Sequence, residues 1–249
     1  MRMTGPVTTL FVLAHAGGNA AMYTGLFQHL AGMVRPVPLD LPGHGSRIGE
    51  PLLTTIPAMA DDVRKHMEAA LRGAPDARHA VFGHSLGGLL AFLASAGLEK
   101  AGRPPRHVFI SSGCLPGRHY APENLQTMSD EQLWAESARY FGGIPREAVV
   151  SDELRTLFTP LLRADLTAVV NYAPVRVEAV DFPITAMHGD KDVVEAEDMD
   201  LWHRVTTGAF QRLGLEGDHF HVLRAPEQAA HVIASALAPE ESGTGGTQA

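Results

Sequence analysis

Ser85 stands in the pentad Gly83-His84-Ser85-Leu86-Gly87. A serine hydroxyl is a poor nucleophile until a neighbouring base takes its proton. The pentad alone is a weak signal in a chain with 25 glycines, so its surroundings matter. A strand-like run, HAVF (79–82), precedes it, and a helix-like run, LGGLLAFLASA, follows. That is the strand–turn–helix setting in which a serine is raised on a tight, strained turn. Gly83 and Gly87 leave room for strand and helix to approach, and Gly88 extends the small face. The turn would place Ser85 at a helix N-terminus, where unpaired N–H groups favour developing negative charge. The bland alternative is a structural serine in a glycine-rich turn.

A base must come from elsewhere in the chain. There are 13 histidines, so a histidine somewhere downstream is uninformative. GDHFHV (217–222) is different, because it lies between the last strand-like run and the last helix-like run. His219 is the stronger choice and His221 the alternative: the turn Gly217-Asp218 leads into His219, and Phe220 can anchor the loop. His15, His44, His84 and His188 also fall at strand ends, but before the acid or beside the serine, and read as site lining or packing. The orienting carboxylate is sought in GDKDVV (189–194), after the strand-like PITAMH. Asp192 takes the outer loop position, with Val193 and Val194 to pin the turn, while Asp190 sits in the tighter turn and can cap loop backbone. Asp165 and Asp218 are outsiders for this role. An oxyanion hole needs two backbone donors. Leu86 supplies one, and Ala16 in His15-Ala16-Gly17-Gly18 the other, unless that stretch is an ordinary βα turn. Neither of the glycine-rich phosphate-binding patterns is present.

The elements that would position these groups alternate between strand and helix. Strand-like runs are TTLFVLA (8–14), VRPVPLD (34–40), HAVF, HVFISSG (107–113), PITAMHG (183–189) and AFQRLGL (209–215). Helical patterns run through YTGLFQHLAG, AMADDVRKHMEAALRG (58–73, closing on Gly73), LGGLLAFLASAGLEKAG and PEQAAHVIASALA (226–238). This alternation predicts βαβ units on a parallel sheet, an α/β architecture; with Ser85 on a strand–turn–helix it resembles the α/β-hydrolase fold, with a mostly parallel doubly wound sheet. Roughly 70 residues separate the strands near Gly113 and Pro183, where a crossover needs only a dozen or more. Ser129 and Gln132 form a capping box at the head of one helix there, which would end at Gly142-Gly143. SDELRTLF meets Pro160 and is expected to restart as LLRADLTAVVNY. We therefore expect a hydrolase core over 1–114 and 182–239, a helical lid insertion over 115–181, and a disordered tail over 240–249. The insertion's Met128, Trp134, Phe141 and Leu162 are candidates to line a channel to Ser85, though each taken singly reads first as core.

Composition bounds the rest. The 249 residues are 45% apolar and 19% charged, enough for one well-packed domain. A net charge of -8 argues against a general binder of nucleic acid or anionic membrane. Cys114 is the single cysteine, which excludes an intrachain disulfide and suits a reducing cytosol. No run approaches a membrane span, and the N-terminal stretch does not have the form of an export signal. A monomeric cytoplasmic protein is expected, with no metal or cofactor.

HAGGNAAMY, LDLPGHGSR, FGHSLGG, LRADLTAVVNY, GDKD and GDHF, in that order from His15 to Phe220, resemble the stand-alone type II thioesterases of polyketide synthase and non-ribosomal peptide synthetase pathways. GHSLGG and GDHF are shared with many α/β-hydrolases; their combination with HAGG and LRAD is more specific. The resemblance implies hydrolysis of acyl thioesters from the phosphopantetheine arm of an acyl or peptidyl carrier protein, clearing misloaded or stalled chains. It also implies the triad Ser85, Asp192 and His219, and a lid-organising role for Arg163 and Asp165. His44 departs from it, standing where an arginine is expected in many members. Arg47, Arg118 and Arg163 are candidates for a basic patch that would dock the carrier. Two other readings are a general carboxylesterase or lipase of the same fold, and a non-catalytic scaffold acting as a binding module.

Overall fold

The computed structural model describes residues 7–73, 77–121, 124–141 and 152–238. β1 (Thr8–Leu13) leads through a 3-10 turn to a short helix, α1 (Thr24–His29). β2 (Val34–Leu39), α2 (Ile56–Ala70), β3 (His79–His84), α3 (Leu86–Lys100) and β4 (Val108–Ser111) follow. After β4 come α4 (Asp130–Phe141) and α5 (Asp152–Val170). The chain then returns through β5 (Ile184–Gly189), α6 (Ala196–Asp200), β6 (Phe210–Leu215), α7 (His221–Arg224) and α8 (Pro226–Leu237).

The six strands form one parallel sheet in the order β2-β1-β3-β4-β5-β6. β1, β3, β4 and β5 are buried along their whole length, as near-continuous apolar strands covered on both faces must be. β2 and β6 are half-exposed edges, and β2 carries Pro36 and Pro38, tolerable where one side of the strand needs no ladder partner. Alternate residues divide the core. Phe11, Leu13, Val81, Ile110 and Ala186 join the apolar cluster made with α2 and α3. Leu10, Val12, Phe82, Phe109 and Met187 join the cluster made with α1 and α8. Strand order reverses between β1 and β3, so the crevice at their carboxyl ends is where this architecture offers a ligand site.

Two local expectations change. The predicted 23–32 helix begins earlier, as a 3-10 turn over Ala20–Tyr23, because Asn19 Oδ1 accepts from Ala21 N at 3.1 Å. α5 does not restart at Pro160 but runs through it. Pro160 faces solvent, while Leu161, Leu162 and Leu166 are buried on the other side, so packing outweighs the lost backbone bond. The capping box forms as read: Ser129 N donates to Gln132 Oε1 at 2.9 Å and Gln132 N to Ser129 Oγ at 3.2 Å. The expected stop at Gly142-Gly143 and the 240–249 tail lie outside the described residues.

Candidate active site

Ser85 joins β3 to α3 with φ 54 and ψ -117, a left-handed backbone that a residue with a Cβ adopts only under constraint. The constraint is visible on both sides. Ser85 N donates to Ser111 O at 2.7 Å, and Gly88 N donates to Ser85 O at 2.9 Å. A Cβ on Gly83 would collide with the Gly87 carbonyl, and one on Gly87 would lie 2.5 Å from the Leu13 and Ala14 carbonyl oxygens. The two glycines thus let α3 start directly over β1 and β3. The turn lifts Ser85 away from the helix axis and leaves the Leu86 N–H at the helix head, where no intrahelical carbonyl can reach it.

His219 lies on the loop between β6 and α7, and its Nδ1 is 2.9 Å from Asp192 Oδ1 on the loop after β5. The two side chains are 3% and 0% exposed. Asp192 Oδ1 also accepts from Val194 N at 3.0 Å, which pins the carboxylate. Burial alone would raise the Asp192 pKa, but the hydrogen bond and charge of His219 outweigh it and hold the group below the ordinary carboxylate range. The competing carboxylates serve other partners. Asp190 Oδ1 accepts from Gly217 N at 2.8 Å and ties the two loops together. Asp218 caps Phe220 N at 3.0 Å and pairs with Arg224 at 2.5 Å. Asp165 binds His44 and Gly17, far from His219 in the hydrogen-bond pattern. His221, the alternative base, is instead engaged at the end of the central strand β4, with Nε2 3.1 Å from Ser111 Oγ.

Further histidines surround His219 and are held neutral. Burial, followed by the nearby His219, pushes His15 down to about 3, and its Nδ1 meets the Tyr23 hydroxyl at 2.9 Å. Burial drives His84 well below its ordinary value, and its ring lies 5.1 Å from that of His219. Burial pushes His221 down to about 4. His84, read from sequence as site lining or packing, and His221, the alternative base, join Ser111 in a buried hydrogen-bonded chain under the site.

Ser85 and His219 border two cavities. The larger, of about 470 Å³, is lined by Trp134, Phe141, Phe158, Leu162, Leu166 and Leu223 among others. The smaller, of about 50 Å³, contains Ala16, Leu86, Cys114, Arg118 and Tyr120. Three of the four expected channel residues, Trp134, Phe141 and Leu162, therefore line the larger cavity. Met128 is not among its lining residues, and its carbonyl instead accepts from Arg163 Nη2 at 3.0 Å. Phe158, Leu162 and Leu166 recur every four residues on α5, a helical spacing that could have found Phe158 and Leu166 from sequence. The three arginines suggested for a docking patch are neutralised by neighbours. Arg47 pairs with Glu50 and Asp62, Arg118 with Asp198, and Arg163 with Asp130. Among the described residues no helix is long and apolar enough to cross a membrane.

The thioesterase domain family model matches residues 8–237, nearly the whole described chain. This protein belongs to the thioesterase family. Thioesterase TesA of Mycobacterium marinum is 34% identical over 89% of this chain and 86% of its own length. The RedJ thioesterase from the prodiginine biosynthetic pathway in Streptomyces coelicolor superposes with a TM-score of 0.82 at 30% identity, over 94% of this chain and 86% of that one. The type II thioesterase BorB from the borrelidin biosynthetic cluster gives a TM-score of 0.83 at 28% identity, over 96% of both chains. Membership assigns the thioesterase its broad chemistry, hydrolysis of thioesters, on an α/β-hydrolase fold whose sheet is the one described above.

Proposed function

We propose that this thioesterase is a type II enzyme that releases acyl groups from the phosphopantetheine arm of carrier proteins in polyketide or non-ribosomal peptide biosynthesis, with Ser85 as nucleophile. The observation that carries the catalytic part is the 2.9 Å contact between His219 Nδ1 and Asp192 Oδ1, made over the same cavities that Ser85 borders. With Nδ1 committed to the carboxylate, Nε2 is the nitrogen left for the serine. Ser85 Oγ attacks the thioester carbonyl carbon as His219 Nε2 takes its proton, and the carbonyl oxygen becomes an oxyanion facing the Leu86 and Ala16 N–H groups. The C–S bond breaks, and the departing sulfur takes the proton from His219. Water then gives a proton to His219 and attacks the acyl-serine; the carboxylic acid leaves and Ser85 regains its hydrogen. Asp192 stays ionised throughout and stabilises the imidazolium.

The carrier-protein part is supported by the pathway relatives, which are named as thioesterases of biosynthetic clusters. The apolar larger cavity suits an acyl chain. The helices between β4 and β5 that wall this cavity form its lid in this reading. The test uses Ser85→Ala and a carrier-bound acyl thioester. Turnover should fall by about 10⁴-fold or more and labelling by a fluorophosphonate should vanish, since triad members act as a unit. Retained labelling or turnover in that variant overturns the nucleophile. Equal kcat/KM on carrier-bound and small-thiol thioesters removes the carrier preference and leaves a general hydrolase.

A further inference from the structure

The loop after β1 reaches into the inserted helices. Gly17, which follows the Ala16 donor, gives its own N–H to Asp165 Oδ2 on α5 at 2.8 Å. Gly17 has φ +71, and a Cβ there would lie 3.3 Å from Leu162 Cβ, one turn before Asp165 on the same helix. Conformation and space both call for glycine at this contact. The peptide plane adjoining the Ala16 N–H is thus fixed from the insertion, not from the sheet.

The same Asp165 oxygen lies 3.0 Å from His44 Nε2, while His44 Nδ1 lies 3.0 Å from the Pro42 carbonyl oxygen. Both partners of the ring are acceptors. A neutral imidazole has one N–H, so it would satisfy one of them and set a lone pair against the other; an imidazolium donates to both. His44 is 2% exposed and Asp165 1%. Asp165 Oδ1 has no hydrogen-bond partner among the described residues. The carboxylate is therefore compensated at one oxygen, by the Gly17 N–H and the His44 ring.

We propose that Asp165 is a positioning residue for the oxyanion hole, acting through the Gly17 N–H, and that a buried, doubly protonated His44 holds Asp165 in place. The inference rests on the reading of Ser85 as nucleophile and Ala16 as second oxyanion donor. The charged groups that act on the ring are Asp165 from α5 and Asp40 from the end of β2. Asp40 is held by Ala20 N, Ser46 N and Ser46 Oγ, and Arg47 turns its guanidinium to Glu50 and Asp62. Burial by itself would lower the His44 pKa; the Asp165 hydrogen bond and charge, with Pro42 and Asp40, outweigh it and raise the pKa above the ordinary 6.5. A raised histidine pKa makes the latch complete below the ordinary value and lost as pH rises through the folded-state value. Deprotonation then sets a lone pair against Pro42 O or Asp165 Oδ2, and loss of the second contact frees Gly17.

The test compares kcat and KM against pH on a small-thiol thioester for the wild type, Asp165→Asn and Asp165→Ala. In Asp165→Asn a carbonyl in the Oδ2 position can accept from both Gly17 N–H and His44 Nε2–H, so both contacts can form, while the charge that favours the second ring proton is removed. We expect an alkaline fall in wild-type kcat that moves to lower pH in Asp165→Asn, because the charge that raises the His44 pKa is gone. Asp165→Ala should lower kcat by about 10- to 100-fold with KM within about threefold, somewhat less than the 10²–10³ for deleting an oxyanion donor. In ¹⁵N NMR below the ordinary histidine pKa, both ring nitrogens of His44 should resonate as protonated. A neutral His44 ring there, an alkaline limb unchanged in Asp165→Asn, or a folded Asp165→Ala with wild-type kcat each overturns the proposal. Where Asp165→Ala does not fold, the Asn profile and the wild-type ring spectrum decide. Turnover surviving in Ser85→Ala would instead mean that the site itself is misread; an inactive Ser85→Ala beside unaltered Asp165 variants fails this inference alone.

Discussion

Replacing Asp192 with Asn separates charge from orientation in the candidate triad. Asp192 Oδ1 accepts from both His219 Nδ1 and Val194 N, at 2.9 and 3.0 Å. An asparagine carbonyl in that place keeps both hydrogen bonds and the histidine tautomer, and what is lost is the negative charge. In the transition state His219 is an imidazolium, and the charge centres lie roughly 4 Å apart. At an effective dielectric near 20 that interaction is about 4 kcal/mol, or about 10³ in kcat. Salt screens it little, because the Asp192 side chain is fully buried. Asp190→Asn is the control. Its carbonyl can still accept from Gly217 N, now 2.8 Å away, and kcat should stay within about threefold. The assay follows thiol release from an acyl thioester at neutral pH, with circular dichroism to confirm folding. An equal loss at the two positions, or a larger one at Asp190, refutes the assignment of the orienting acid.

Three further outcomes follow from backbone and cavity. Ser85→Gly, though inactive, should melt several degrees higher: it relieves about 1–3 kcal/mol of strain at φ 54, less about 0.5–1 kcal/mol for glycine's greater freedom when unfolded, as a thermal scan would show. Gly83→Ala should fail to accumulate as folded protein or lose more than about 4 kcal/mol in urea, since its Cβ meets the Gly87 carbonyl; a mild change would mean that α3 can shift. Leu223→Trp, at a half-buried position on the larger cavity, should cut kcat/KM for long acyl thioesters while sparing acetyl, with the melting temperature nearly unchanged; uniform loss across chain lengths would place the acyl chain elsewhere.

Much of the site was legible in the sequence because its parts are local. The serine turn needs glycines at fixed offsets between a strand and a helix, and the chain displays them at Gly83 and Gly87. The strands came through as short apolar runs because both faces of a central parallel strand are buried. The continuation of α5 through Pro160 was not legible, since local propensity predicts a break there and only the burial of Leu161, Leu162 and Leu166 overrides it. Nor could charge counting show that Arg47, Arg118 and Arg163 are each matched by a carboxylate. Asp192 could be preferred from its loop position, but choosing it over Asp190 by contact required a distance across 27 residues. The pairing of His44 with Asp165 spans 121 residues, and no local pattern encodes it. Sequence determines what a short stretch can form on its own; which buried polar groups meet, and in which protonation state, is decided when packing brings distant segments out of water together.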